Sequence, residues 1–298
     1  MSVLARLAGL LKDPPPVYAF ELSEAGIAAA HISGAPRTSF SALERDVISV
    51  SPLRDNVLRP EALLNQVRSL APADGNRKRR RAALILPDYA VRVTVLDFDD
   101  FPTDQREQAS LVRFRLKRTV PFEVDSAALS FQPQARRASG KRVDVAVAVA
   151  PLEIVARYET PFRLAGFQTG LVTTSLLAAL ELVPATGLKV LAKRTGRILS
   201  LAVLDHGLLK LVRSIELTDY SADEIAGHLF PTFAYVEDQL SKSPDLLLLC
   251  GFGTATEGAR SWLESELHVR TQALSARTGQ PGEFNAGLVG YLEALKEA

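Results

Sequence analysis

The sequence has one cysteine, one methionine, one tryptophan and four histidines among 298 residues. A lone Cys250 forms no internal disulfide and supplies neither a CxxC redox pair nor a zinc site, the cysteine usage of a reducing compartment. His31, His206, His228 and His268 are scattered, each beside a turn or inside an ordinary helix or strand pattern, so no metal site is expected. Charge of one sign is missing too: 35 Lys and Arg stand against 34 Asp and Glu, a net charge of +1. No global field draws in nucleic acid or an anionic membrane, and any such contact has to be local. No stretch approaches the roughly 18 uninterrupted apolar residues of a spanning helix. The start, MSVLARLAGLLK, has neither the charge order nor the cleavage site of a signal peptide, so a soluble, cytoplasmic protein is expected. Catalytic motifs are absent as well: there is no GxxxxGK(S/T) loop, no GxSxG elbow and no HExxH. Ser139-Gly140-Lys141 lacks the upstream glycine and the following hydroxyl of a phosphate loop.

What is present is an ordinary globular composition, 47% hydrophobic with 18 Gly and 17 Pro, long enough for two lobes. Residues 1–16 read as a short amphipathic arm with Leu4, Leu7 and Leu11 at helical spacing, closed by Pro14-Pro15-Pro16. Residues 17–32 predict a hairpin turning at Ser23 to Gly26. Pro60 and the spacing of Leu63, Leu64, Val67 and Leu70 predict a helix over 60–70. Five cations, Arg77 to Arg81, precede a buried strand over 82–86. Alternation then predicts a strand near 91–98, a helix capped by Thr103, strands at ALSFQP and 143–150, and a helix over 152–165 disturbed by Pro161. Residues 190–217 read as a three-stranded meander turning at Thr195-Gly196 and His206-Gly207. A capping box at Ser221 to Glu224 opens a helix carrying Ile225, Leu229, Phe233 and Val236 on one stripe. DLLLLCGFG predicts a buried strand ending in a glycine turn, and two further helices follow, around Trp262 and over GLVGYLEAL. Hairpins followed by helices in both halves point to duplicated lobes.

The order of LPDYAVRVTVLDFDDFP, a charged helix, FRLKRTVPFEVDSAALSFQP, VDVAVAVAPLEIV and LAGF resembles the PilM family of type IV pilus assembly proteins, actin-like and related to FtsA. The resemblance implies an α/β, actin-like (ribonuclease H-like, duplicated) two-lobed fold, with mixed sheets flanked by helices and a small inserted α+β subdomain. It divides the chain into an arm (1–16), a first lobe (17–82 and 168–189), an inserted subdomain (83–167) and a second lobe (190–298). It also locates a nucleotide site at Ser23, Gly26, Thr195, Gly196, Gly251, Gly253 and Thr254. That site is degenerate against the family's pattern. Glu21 stands for the aspartate of the first phosphate turn, and Glu24 puts a carboxylate where a phosphate would sit. Two like charges about 4 Å apart repel by about 4 kcal/mol at an effective dielectric near 20. In the second turn Lys193 replaces the acidic residue that would help place metal and water, while Lys193 and Arg194 offer positive charge to a phosphate. Neither ATP nor magnesium is therefore expected as a cofactor, nor hydrolysis.

The remaining expectation is protein contact. The resemblance implies a groove between the first lobe and the inserted subdomain that takes the cytoplasmic N-terminal tail of a PilN-type inner-membrane protein. Further contacts would be to PilO-type and cytoplasmic pilus proteins. Candidate groove residues are Arg113, Phe114, Lys117, Val120 and Phe122, and Arg77, Lys78, Arg79, Arg80 and Arg81 are candidates to face anionic lipid beneath the inner membrane. A homodimer is compatible with this reading. The alternatives are a nucleotide-switched actin-like ATPase and an adaptor of the FtsA or GspL kind.

Overall fold

The computed structural model describes residues 15–32, 37–71, 80–134, 142–253 and 256–297. Most of the arm, with Arg77, Lys78, Arg79, Ser139 to Lys141 and Thr254, lies outside them. Two five-stranded sheets share one topology. The first runs β3-β2-β1-β4-β8 and the second β11-β10-β9-β12-β13. In the first, β1 (Tyr18–Leu22), β2 (Gly26–His31) and β3 (Arg37–Ala42) form an antiparallel meander, and β4 (Arg80–Leu86) and β8 (Phe167–Thr174) add in parallel. In the second, β9 (Leu188–Thr195), β10 (Ile198–Asp205) and β11 (Leu208–Glu216) form the meander, and β12 (Leu246–Cys250) and β13 (Thr271–Ala273) add in parallel. The expected duplication is thus present strand for strand.

Period-two alternation decides what covers each face. On the first sheet Phe20, Leu22, Leu84 and Leu86 point to a core closed by α1 (Pro60–Leu70), through Leu63 and Val67, and by α3 (Leu152–Leu164), through Ile154, Tyr158 and Phe162. The opposite face is built from small residues, Ala19, Ala28, Ala30 and Ala83, and receives Leu288, Tyr291 and Leu292 of α7 (Ala286–Glu297). On the second sheet one face is covered by α5 (Ala222–Leu240) and α6 (Thr256–Leu267). Its other face packs on the short α4 (Ser175–Ala179) and on α7. Helices α4 and α7 therefore lie between the two sheets, which is why GLVGYLEAL is apolar on all sides except at Glu293, whose carboxylate is paired with Arg277. They approach closely because Gly290 has no side chain: a Cβ there would stand 2.0 Å from the Ala178 carbonyl oxygen.

A third sheet, β5-β7-β6, combines β5 (Arg92–Phe98), β6 (Ala127–Pro133) and β7 (Val143–Pro151), and α2 (Gln105–Leu116) packs on it through Val112 and Leu116. This is the inserted subdomain, and it is shorter than the expected 83–167. Strand β4 belongs wholly to the first-lobe sheet, and α3 covers that same sheet, because Ile154, Tyr158 and Phe162 find their apolar partners there. The C-terminal helix likewise serves both sheets instead of the second lobe alone. The cap of α2 is Asp104, not Thr103, since the Asp104 carboxylate accepts from the amides of Arg106 and Glu107 at 2.9 and 3.0 Å.

Candidate functional site

The duplicated topology brings the β1–β2 turn and the β9–β10 turn face to face across a cleft between the lobes. A cavity of about 300 Å³ lies there, lined among others by Ser23, Glu24, Asp88, Thr195, Gly196 and Arg197. This is where the expected first and second phosphate turns should meet, and four of those residues, Ser23, Glu24, Thr195 and Gly196, do meet. Gly26 opens β2 against Phe40 and Ser41 of β3.

The chemistry of the turns is spent internally. Ser23 Oγ donates to the Gly26 carbonyl at 3.0 Å and accepts from the Gly26 amide at 3.1 Å, closing the turn on itself. Glu24 accepts from the Val50 amide at 2.7 Å and lies 3.5 Å from Arg197 of the opposite turn. Gly251 and Gly253 do not line the cavity. Gly251 has φ +84°, and a Cβ on it would stand 2.0 Å from the Arg194 carbonyl oxygen, so the glycine serves close strand packing. Gly253, at φ +57°, is an exposed turn residue.

Behind the cleft is a buried polar network that sequence reasoning did not find. Asp88, in a single 3-10 turn after β4, accepts from Lys193 Nζ at 2.9 Å, from Ser200 Oγ at 3.0 Å and from the Leu176 amide. Lys193 Nζ also donates to Thr195 Oγ1 at 2.7 Å, and the lysine side chain is 0% exposed. Glu21 accepts from Ser175 Oγ and, at 2.6 Å, from the Leu288 amide in the first turn of α7. Burial pushes the Glu21 carboxyl above its ordinary range, against the pull of Lys193. Burial opposes the charge on Lys193, yet Asp88 and Glu21 overcome it and hold the ammonium above its ordinary value. Lys193 is therefore not a cation offered to a phosphate, and Arg194 is paired with Glu283 at 3.0 Å. The residues present do not fit a magnesium–nucleotide group: a carboxylate stands in the first turn, a consumed ammonium behind the second. No cluster of three or more His, Cys, Asp or Glu able to hold a metal occurs among the described residues.

A second and larger concavity, about 720 Å³, separates the first lobe from the inserted subdomain. Its walls are Leu53 and the start of α3, with Leu152, Glu153 and Ala156, on one side, and Pro121, Phe122, Glu123 and Ser126 on the other. Leu53 and Leu152 expose more than half of their surface. Of the expected groove residues only Phe122 lines it. Arg113 donates to the Val124 and Ala127 carbonyls and holds the loop after α2, Lys117 pairs with Asp125 at 2.6 Å, and Val120 is buried in the subdomain core. Phe114 is 62% exposed on α2, outside the groove. Neither Leu53 nor Leu152 was singled out as a groove residue in the sequence, because the concavity forms only when segments far apart in the chain are brought together.

Arg80 and Arg81 are not loop cations. Both lie in β4, half-buried, and Arg80 donates to the Ala71 and Ala165 carbonyls at 2.9 Å each with its guanidinium 4.1 Å from the Phe167 ring centre. Arg81 lies against Gly170 of β8. A guanidinium that closes the C-terminal ends of α1 and α3 is not left for a headgroup at Arg80.

No helix among the described residues is long and apolar enough to cross a membrane. Neither protein-family models nor curated proteins give a match to the sequence. Solved structures do. A chain of the PilM–PilN type IV pilus biogenesis complex superposes with a TM-score of 0.78 at 19% identity, over 95% of this chain and 99% of that one. The cytoplasmic domain of EpsL, an inner membrane component of the type II secretion system of Vibrio cholerae, gives 0.53 at 15% identity over 94% of both chains. A Bacteroides thetaiotaomicron protein with an actin-like ATPase fold and unknown function gives 0.54 at 12%, over 91% of this chain and 94% of that one. With two lobes on one repeated topology and an inserted three-stranded subdomain, the chain has the actin-like fold, in a PilM-like architecture.

Proposed function

We propose that the protein is a non-hydrolysing actin-like adaptor on the cytoplasmic face of the inner membrane, in a type IV pilus or related secretion machine. Its groove between first lobe and inserted subdomain takes the N-terminal tail of a PilN-type membrane protein, with PilO-type and cytoplasmic machinery proteins as further partners. The observation that carries this reading is the groove itself. Leu53, Phe122 and Leu152 present apolar surface beside Glu123 and Glu153, which suits an extended tail needing pockets for its side chains and a polar rim. The spent chemistry of the interlobe cleft supports the absence of hydrolysis. A type II secretion adaptor is the second reading, favoured by the likeness to the EpsL cytoplasmic domain.

The test is titration of a synthetic PilN-type tail into the protein and into groove variants. Leu152→Arg and Phe122→Ala should each weaken binding at least about tenfold, roughly 1.4 kcal/mol. Leu164→Arg, exposed on the same helix outside the groove, should leave it unchanged. Equal binding by all of these variants would remove the groove from the account.

A further inference from the structure

Besides its apolar packing on the central helices and the half-exposed Arg197–Glu24 pair, the second lobe meets the rest of the molecule at two separate buried lysine–carboxylate pairs. The first is Lys193 of β9 with Asp88, 2.9 Å apart, with side chains 0% and 2% exposed. Asp88 is held from both sides, because it also accepts from Ser200 of the second lobe and from the Leu176 amide between the sheets. The second pair joins the second lobe to the inserted subdomain: Lys210 of β11 with Asp144 of β7, 2.8 Å apart and also buried. Beside it Gln134 makes a reciprocal pair with the backbone of Leu209, each bond 2.7 Å long. The two sites use different strands of the second lobe and different parts of its neighbours.

We infer that these two pairs pin the second lobe to the first lobe and to the inserted subdomain, so that the angle between the lobes is fixed by the protein's own charges and does not depend on a ligand in the cleft. A pair of charges out of water contributes through geometry more than through net stability, because its mutual attraction offsets the cost of desolvation only when both partners stay in place. Opening the cleft would separate Lys193 from Asp88 and leave each charge buried or newly solvated alone. Two pins at different points also block rotation about either one. Among the described residues no acidic cluster for a metal lies between the lobes, and a buried ammonium does. This inference goes beyond the function proposed above and holds whether or not the groove binds a tail.

The test is the distance between spin labels on cysteines introduced at Glu61 of α1 and Asp238 of α5, both exposed. The native Cys250 is buried and does not compete for label. The full chain should give a single narrow distance that magnesium–ATP leaves unchanged. The Lys193→Met/Lys210→Met double variant should lose the single peak. Lys210→Met alone, whose pair lies away from the central helices, keeps the test open if the double variant does not fold, and should broaden the distribution. A shift of the native distance on adding magnesium–ATP would overturn the inference, as would an unchanged narrow peak in the variants that fold.

Discussion

Glu24 and Arg197 lie 3.5 Å apart at the tips of two equivalent turns, one from each lobe. In a cleft that cradled phosphate, both turns would present amides and hydroxyls to an anion. Here one presents the anion and the other the cation that answers it. Titration of the protein with ATP, with and without magnesium, is accordingly expected to show no saturable binding at millimolar nucleotide. Glu24→Gln is expected to behave the same, since removing that charge creates no cation site. Saturable binding by the native protein would restore the nucleotide-switched alternative.

Gly251 is the wrong place to test nucleotide binding by substitution, because its lack of a side chain is used by the fold. Gly251→Ala puts a Cβ 2.0 Å from the Arg194 carbonyl at φ +84° and should destabilise by about 2–4 kcal/mol. Urea unfolding checks this. A change of less than about 0.5 kcal/mol, the range of neutral surface substitutions, would contradict the packing described.

Lys193→Ala leaves Asp88 buried without its charge partner and should cost about 3–5 kcal/mol. Because the folded protein holds Lys193 above its ordinary value of 10.5, its contribution is complete below that pH and is lost as pH rises through the folded value. Alkaline unfolding of the native protein should therefore be steeper than that of the alanine variant.

Glu224 gives the opposite sign. Its carboxylate accepts from the amides of Thr218, Asp219 and Tyr220 at 2.7, 3.0 and 3.2 Å, and those bonds, from the Asp219 and Thr218 amides first, pull it down to about 2. The stabilisation is present above the ordinary glutamate value of 4.5 and fades as pH falls towards about 2. An NMR titration should place the Glu224 midpoint there, and Glu224→Gln should remove the acid-side dependence at the start of α5.

Arg80→Ala breaks two hydrogen bonds from a charged donor and a stack on Phe167. A loss of about 1–3 kcal/mol in stability is expected, with binding to anionic vesicles unchanged from the native protein. Loss of vesicle binding with stability intact would return Arg80 to the lipid surface.

Much of this architecture was legible. The β1–β2 hairpin and the second-lobe meander are apolar runs broken by turn residues, and the helix from Pro60 and the stripe on α5 bury one face, whose period shows in the sequence. The strands that escaped are edges: β3, RTSFSA, is largely exposed, β8 carries Gly170 in its middle, and β13 has three residues; the five-residue α4 escaped because it is too short to show a period. Edge strands bury too little to alternate cleanly. The site was harder. Glu24 was read in the first turn from the resemblance, but Arg197 opposite it was not, and Lys193 read as a cation for a phosphate because Asp88, its partner, is distant in sequence. Arg80 read as part of a lipid-facing run for the same reason. A concavity does lie between the first lobe and the inserted subdomain, but Leu53 on its wall comes from a stretch read as neither helix nor strand, and Leu152 stands only at the start of the helix expected over 152–165.

The most direct measurement is calorimetric titration of a PilN-type tail into the full chain, repeated in the presence of magnesium–ATP. The account predicts saturable binding with the same affinity in both cases, weakened by Leu152→Arg. No binding by the folded protein, or binding that appears only with nucleotide, would contradict it.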